Sequence, residues 1–529
     1  MVDVTLMHIT VYDDDIAGEK TLRFSDTEGF DPETVSYDVY EPRIIDAGNY
    51  AEYLYGRGTT IGLSEAGRGQ FTLNNADGAL DGMRNYGYGR TIEILRGTST
   101  LADPTDFTTV FTGTTLGALR YTALEVAGDI RNKLAEIYEL PFLTVKYDGD
   151  TTDTTYGSGG HVNGTANDIK GKNRPMLFGN GGGKYFSPPV VNTAKQTVQI
   201  SQHECDSIDE LLVGGAALSA GTAHASLTAL QAATVSSGYY DYYLGNDALD
   251  EDDPARGCYA RIGSAIDGDI TAAATASSNN LVNCIKEALE FKGLTVDASS
   301  FSAMASTFSA AGGIWVGPEE INTGDIIAAM LAAFNGYLYV TTAGVFKIGQ
   351  LTDPSAGSSV LTLTNDLLAG DDATKLRRFP SSDETGDVPV SRIIYNYNYN
   401  YTVQAEADLP GAATQAQKEF SKNEWRAVYA DAASSVTTKH PTAQPFVINA
   451  LITDSTAAQN EADRQKTLRT ATREFAEITV HESLVRDVDL GDIITVESER
   501  YSDAGSDQWL VMGKVIEYAV NQVTLILWK

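Results

Sequence analysis

Residues 395–401 read YNYNYNY, inside SRIIYNYNYNYTVQ, so tyrosine alternates with asparagine for seven positions. Successive side chains of an extended strand point to opposite faces, which predicts Tyr395, Tyr397, Tyr399 and Tyr401 on one side and Asn396, Asn398 and Asn400 on the other. Neither face is strongly apolar. A strand of this kind suits a sheet whose two surfaces both meet something semi-polar: a glycan, a lipid headgroup belt, a water-filled lumen or a neighbouring subunit.

The chain carrying it has 529 residues, too many for one hydrophobic core, and typical domain sizes predict roughly three or four domains. Its 42% of hydrophobic residues can fill cores of that size. With 38 Lys and Arg against 71 Asp and Glu, the formal net charge is −33. Such a surface repels phosphate backbones and anionic lipid, which argues against direct duplex binding but suits an acidic wall along which nucleic acid slides without sticking. Cys205, Cys258 and Cys284 are widely separated and form no CxxC pair, so neither a disulfide framework nor a zinc knuckle follows. The opening MVDVTLMHITVYDDD has no basic start and no long apolar core, unlike a secretory signal. The most apolar stretch, IIAAMLAAFNGYLYV from Ile326, is broken at Asn335 and Gly336 before it reaches bilayer length. These features predict a chain soluble in a cytoplasm.

Along residues 1–145, MHITVY, TLRFS, GQFTLNN, RTIEILRG, TTVFTGTTL and YTALEVAGDI read as strands separated by Gly, Asp and Asn clusters, which predicts an antiparallel sheet or barrel. LNNADGALDG, residues 73–82, reads as a sharp turn built on Asx geometry; the ligand order of a calcium loop is missing. Residues 147–183 are rich in Gly, Thr, Asn and Asp and read as a long connection or a loop-heavy small domain. Within them, Lys170, Lys172 and Arg174 form a basic cluster whose ordinary fate is pairing with acidic neighbours or solvation. LVNCIKEALEFKGL places Leu281, Ile285, Ala288 and Leu289 on one helical stripe ending near Gly293. A second helix begins near NTGDIIAAMLAAF, with Thr323 as N-cap and Asp325 in its first turn, followed by a hairpin about residues 342–344. After residue 373 strands return around a long helix over residues 455–475, with Glu461 and Asp463 early and Lys466, Arg469 and Arg473 late, the order that complements a helix dipole.

Chemistry-bearing patterns are sparse. His8, His161, His203, His224, His440 and His481 have no metal-ligand spacing, and His203 with Cys205 in QHECD is too small a pair to carry metal or thiol chemistry. GNGGGKYF fails as a phosphate loop, because Phe178 stands five before Gly183 and Tyr185 replaces the Ser or Thr that would hold magnesium. No GxSxG elbow occurs. Carboxylate pairs are expected by chance in so acidic a chain, and DALDEDDPAR, residues 247–256, reads as a solvated loop before it reads as a cation site. We therefore assign no catalytic, cofactor-binding or metal-binding residues, no cofactor and no enzymatic activity.

Taken as an ordered set, ten segments resemble the tail hub proteins of long-tailed phages and related gene-transfer particles. They are YEPRIIDAG, FTLNNADGALDG, DIKGKNRPMLFGNGGGKYFSPPVV, NNLVNCIKEALEFKGL, GIWVGPEEINTGDIIAAMLAAFNGYLYVTTAGVFKIGQL, SRIIYNYNYNYTVQ, EWRAVY, AQNEADRQKTLRTATREFAEITV, VDLGDIITVES and WLVMGKVIEYAVNQVTLILW. No one of them is diagnostic; their order and spacing carry the likeness across most of the chain.

The resemblance implies a mainly β fold with α+β parts: tail-tube-like β-barrel domains at residues 1–145 and 373–529, a loop-rich β domain at 146–265 and an α+β domain at 266–372. It implies a homotrimer at the virion tail tip, assembled in the host bacterial cytoplasm, whose six barrel modules give a ring of pseudo-sixfold symmetry. The implied partners are the hexameric tail tube or distal-tail ring, a central tip or fibre protein, and DNA or tape measure protein passing through the lumen unbound, with no membrane anchor. The polar stretch at residues 147–164 departs from the family pattern. Two other readings compete: a glycan-binding or glycan-cleaving virion protein, for which aromatic platforms are the attraction, and an outer-membrane β-barrel, for which YNYNYNY and the terminal Trp528 would be lipid-facing girdles.

Overall fold

A computed structural model of the chain describes residues 3–27, 39–62, 64–98, 104–276, 279–371, 374–383, 389–405, 409, 411, 413–497 and 506–529. The division drawn at residue 373 and the last residue of DIITVES, Ser498, lie outside the described residues.

The fold is mainly β. Strand Glu125–Asn132 shows why: Val126, Ile130 and Asn132 are buried in strict alternation with more exposed neighbours, the period a half-buried strand requires. Strands Asp3–Asp13, Thr91–Thr98, Thr108–Tyr121, Glu125–Asn132, Glu65–Asn74 and Ile44–Tyr53 pair antiparallel in that spatial order, with Gly18–Ser25 on the outer side of the first. At the other end of the chain, Ser506–Glu517 pairs with Gln522–Trp528 and with Ile493–Glu497, and Gln522–Trp528 pairs in turn with Phe475–His481.

The two groups are not separate. Ile44–Tyr53 pairs antiparallel with Ser506–Glu517, so strands from both ends of the chain form one sheet of 14 strands. Among the described residues no pairing joins the two ends of this path, and the sheet stays open. One apolar core spans both halves, from Ile9, Phe71, Ile94 and Ile130 to Trp509, Val511, Leu525 and Trp528.

Between these ends lies an α+β core built on helices Leu281–Phe291, Ala298–Thr307 and Thr323–Leu331. Helix Leu281–Phe291 buries the predicted stripe and ends at Gly293, whose φ of +71° is the left-handed closure expected there. Thr323 is not the N-cap of the next helix. Asn322 holds that place, and Thr323 is the first helical residue, buried, its hydroxyl donating to the Leu140 carbonyl at 3.0 Å. Strands Gly336–Val340 and Phe346–Gln350 form the predicted hairpin. The long helix is Ser455–Thr470, capped by Asp454, and stops short of residue 475 because Phe475 already belongs to a strand. Among the described residues no helix is long and apolar enough to cross a membrane.

Candidate functional site

The residues that place the parts of this chain against one another lie at two junctions. The first is the seam between the terminal strands, where Tyr50 faces Ile516, Ala51 faces Val515, Glu52 faces Lys514 and Tyr53 faces Gly513 in register. Lys514 is buried and its ammonium donates to the Val488 carbonyl. Glu482, also buried, holds Arg486 through two hydrogen bonds of 2.9 and 2.6 Å. Burial pushes the carboxyl of partly exposed Glu52 up to about 7, with Lys514 opposing and Asp489 adding to the rise. Asp492 is also raised, chiefly by burial.

A carboxyl whose folded value lies above its unfolded one favours folding below the unfolded value, near 4.5, and loses that contribution as pH rises through about 7. Glu52→Gln is therefore expected to be more stable than the parent at pH 8, by on the order of 1–3 kcal/mol given the partial exposure, and nearly equal to it at pH 5. Urea midpoints of the two proteins at both pH values check this; a constant difference between them would contradict it.

The second junction is YNYNYNY itself. Strand Arg392–Tyr397 is the middle of a three-stranded sheet, antiparallel to Arg426–Asp431 and parallel to Pro445–Asn449. Contrary to the expectation from the alternation, the four tyrosines do not share one face. Asn398 takes φ +50° and breaks the strand, its N–H donating to Ile452 O at 2.7 Å, and the chain resumes as Tyr399–Asn400 in parallel pairing with Gly183–Lys184. The phase reverses across that break: Tyr395 is fully buried before it and Asn400 after it.

Each side chain then ties a different part. Tyr395 Oη donates to the Ala333 carbonyl of the α+β core. Tyr401 Oη donates to Gly181 O at 2.8 Å and accepts from Trp315 N at 2.9 Å. Asn400 donates to Ser421 O at 2.9 Å, and Asn396 donates to Asn449 across the sheet at 2.8 Å. The stretch is a staple between parts of the molecule: Tyr395 is buried and Tyr401 is tied inward, while Tyr397 and Tyr399 are only partly exposed, so the four rings do not form one outward-facing aromatic row.

The sequence-flagged residues do not converge on one site. Arg174 is buried, donating to Tyr259 Oη at 3.2 Å and Asn163 Oδ1 at 2.9 Å, with Tyr147 4.9 Å beneath its guanidinium; Lys172 pairs with Glu319 at 3.0 Å, and Lys170 is exposed. The stretch at residues 147–164 is folded rather than loose: Tyr147, Tyr156 and Val162 pack with Val191, Leu227 and Tyr259, and Asn192 donates to the Gly159 and His161 carbonyls. In LNNADGALDG, Asn75 Oδ1 accepts from Leu80 N at 2.8 Å and Asp77 is held by two Arg43 hydrogen bonds, which bring its carboxyl down to about 2, so the predicted turn is a turn.

His203 lies edge-on to Phe291 with its pKa pushed down by burial, while Cys205 is buried beside Cys258. Asp253 caps the short helical turn Pro254–Arg256 and accepts from Tyr156. Among the described residues no group of three His, Cys, Asp or Glu side chains is placed to hold a metal ion.

Sequence reading missed the seam. Its available signal was a lysine inside an apolar strand, Lys514 in WLVMGKVIEY, which needs a partner when buried.

No family model matches this sequence and no curated protein matches it. The structure is similar to phage tail proteins. One is the 43 kDa tail protein of prophage MuSo2 from Shewanella oneidensis, with 10% identity, 99% of this chain and 98% of that one covered, and a TM-score of 0.39. Another is the tail protein from Neisseria meningitidis MC58, with 9% identity, coverage of 99% and 96%, and a TM-score of 0.41. A chain of the virion of a native gene transfer agent particle is similar at 13% identity, coverage of 68% and 85%, and a TM-score of 0.38.

Proposed function

We propose that this chain is a non-enzymatic structural component of a phage tail tip. Three copies form a hub ring that joins the hexameric tail tube or distal-tail ring to a central tip or fibre protein and encloses the DNA channel. Residues 1–145 and 373–529 are the two tube-like modules of each copy, and residues 146–265 and 266–372 are accessory parts beside them. The single observation that carries this reading is the seam: two β-rich ends of one chain lie edge to edge in one sheet through Ile44–Tyr53 and Ser506–Glu517. That is the arrangement by which three chains can present six similar modules to a six-membered tube.

The charge supports the same reading. Three copies would carry about −99, and a conduit of that sign opposes adhesion of the duplex passing through it. The burial of Tyr395 and the inward hydrogen bonds of Tyr395 and Tyr401 support it over glycan binding and over a membrane barrel, since both would need a row of tyrosines facing outward. The mass of the purified protein tests the proposal, alone and mixed with its tube partner. A trimer that joins the tube is expected; a species that stays monomeric and never joins a tail contradicts it.

A further inference from the structure

The large sheet has an open edge at one end of its strand order. Strand Gly18–Ser25 pairs with Asp3–Asp13 along its whole length, but its other side meets only Glu41–Pro42, at Phe24 and Ser25. Among the described residues nothing else pairs with it. The hydrogen-bond phase fixes which backbone groups are left outside. Asp26 N donates to Thr5 O at 3.2 Å, and Tyr12 exchanges two bonds of 2.9 Å with Gly87 on the opposite side of Asp3–Asp13. The register from Leu6↔Ser25 to Asp13↔Gly18 then turns the backbone of Lys20 and Leu22 toward Val11 and Ile9, and the N–H and C=O of Glu19 and Thr21 outward.

Edges of this kind are ordinarily guarded by proline, a bulge or a charged side chain. This strand has no proline, its register has no break, and its charged side chains are engaged elsewhere: Lys20 lies 3.5 Å from Tyr86 Oη and 3.6 Å from Asp13, Glu19 pairs with Arg90 at 3.1 Å, and Arg23 has a partner as well. Beside the edge, on the core face, runs a groove of about 320 Å³ whose apolar lining is Leu22, Phe24, Val39, Leu80, Met83 and Tyr86. That is room for side chains, not for a single water. Val39 is 65% exposed, so apolar surface lies uncovered next to outward-facing backbone groups.

An extended segment meets both features at once: its main chain completes the ladder, and every second side chain enters the groove. A second copy of this strand is a poor occupant. Antiparallel pairing about Thr21 would set Lys20 of one copy opposite Leu22 of the other, an ammonium against the apolar lining. Asp14 and Asp15, exposed where the edge begins, favour instead a segment that carries a cation at its end. We propose that the outer edge of Gly18–Ser25 takes up an extended segment of a partner protein as an added strand, with aliphatic residues at alternate positions in the groove. This edge belongs to a single chain and does not depend on the tail reading.

Fluorescence anisotropy of an N-terminally labelled, C-terminally amidated peptide KVTVTVK with the full chain tests this. Its valines alternate, and a terminal lysine can meet Asp14 and Asp15. Saturable binding is expected, with the shuffled peptide KVVVTTK weaker by about tenfold because it lacks the alternation. Thr21→Pro removes an N–H that bonds nothing among the described residues, so it is expected to keep the parent's urea midpoint and to lose about tenfold in peptide binding. Val39→Ser is expected to weaken binding several-fold. Hydrogen exchange resolved to single amides is an independent check: Glu19 and Thr21 exchange fast in the free chain and slowly with peptide, while Lys20 and Leu22 are slow in both. Absence of saturable binding, equal binding of the two peptides, or slow exchange of Glu19 and Thr21 in the free chain would overturn the proposal. Dimers that sedimentation detects and Thr21→Pro abolishes would assign the edge to a second copy and overturn it too. Val39→Ser and the exchange rates decide the matter should Thr21→Pro fail to fold.

Discussion

Tyr395→Ala is expected to destabilise the chain by about 3–5 kcal/mol, the range for removing a large, fully buried aromatic side chain. Tyr395 is 0% exposed and sits in the α+β core with Ile393, Ile448 and Ala462, so the truncation leaves a void that three elements would have to collapse to fill. Tyr395→Phe keeps the volume and removes only the hydrogen bond to Ala333 O, which leaves that carbonyl unsatisfied and costs about 1–2 kcal/mol. Asn396→Ala, at the next residue and on the opposite face of the strand, loses one amide contact to Asn449 and is expected to cost less than about 1 kcal/mol. Urea unfolding of the three variants measures the order. If Asn396→Ala cost as much as Tyr395→Ala, the stretch would be serving its outer face, as a platform would.

Gly179→Ala is expected to be as damaging, about 3 kcal/mol or more, for a reason the phosphate-loop reading of GNGGGKYF would not supply. Gly179 has φ +56°, and a methyl group there would stand 2.0 Å from the Gly312 carbonyl oxygen and 2.9 Å from Cys284 Sγ. Strand Met176–Gly179 pairs with Gly313–Val316 at this point, so the glycine lets two backbones meet, and neither can withdraw without breaking the pairing. Gly157→Ala is the control. Its φ of +93° is equally unsuited to alanine, yet nothing lies within 4 Å of the added methyl, so only the backbone cost of about 1–2 kcal/mol is expected. Thermal or urea unfolding of the pair isolates the collision; equal losses would mean that the close approach is relieved elsewhere.

What the sequence made legible was local. Alternation found the strands at both ends, Gly293 and Gly344 marked a helix end and a hairpin turn, and the carboxamides of LNNADGALDG announced their own turn. What it hid depended on distant partners. Asn398 breaks the Tyr–Asn alternation because asparagine tolerates a left-handed backbone and because Ile452 O and Gly182 O, far along the chain, accept from Asn398 and Tyr399. Residues 147–164 look like a linker by composition, yet Asn192 supplies the hydrogen bonds that fold them onto Val191 and Tyr259. Thr323 has the right chemistry for a cap, but its hydroxyl is claimed by Leu140. The seam was the least legible feature, since no local pattern announces that residues 49–53 will pair with residues 513–517.

The most direct test is a density map of an intact particle with this chain located in it. The account predicts three copies around a channel, their two terminal β-modules alternating at near-equal angles to meet a six-membered ring, with carboxylates facing the bore. A map in which those modules do not alternate around the channel, or in which lysine and arginine coat the bore, would contradict it.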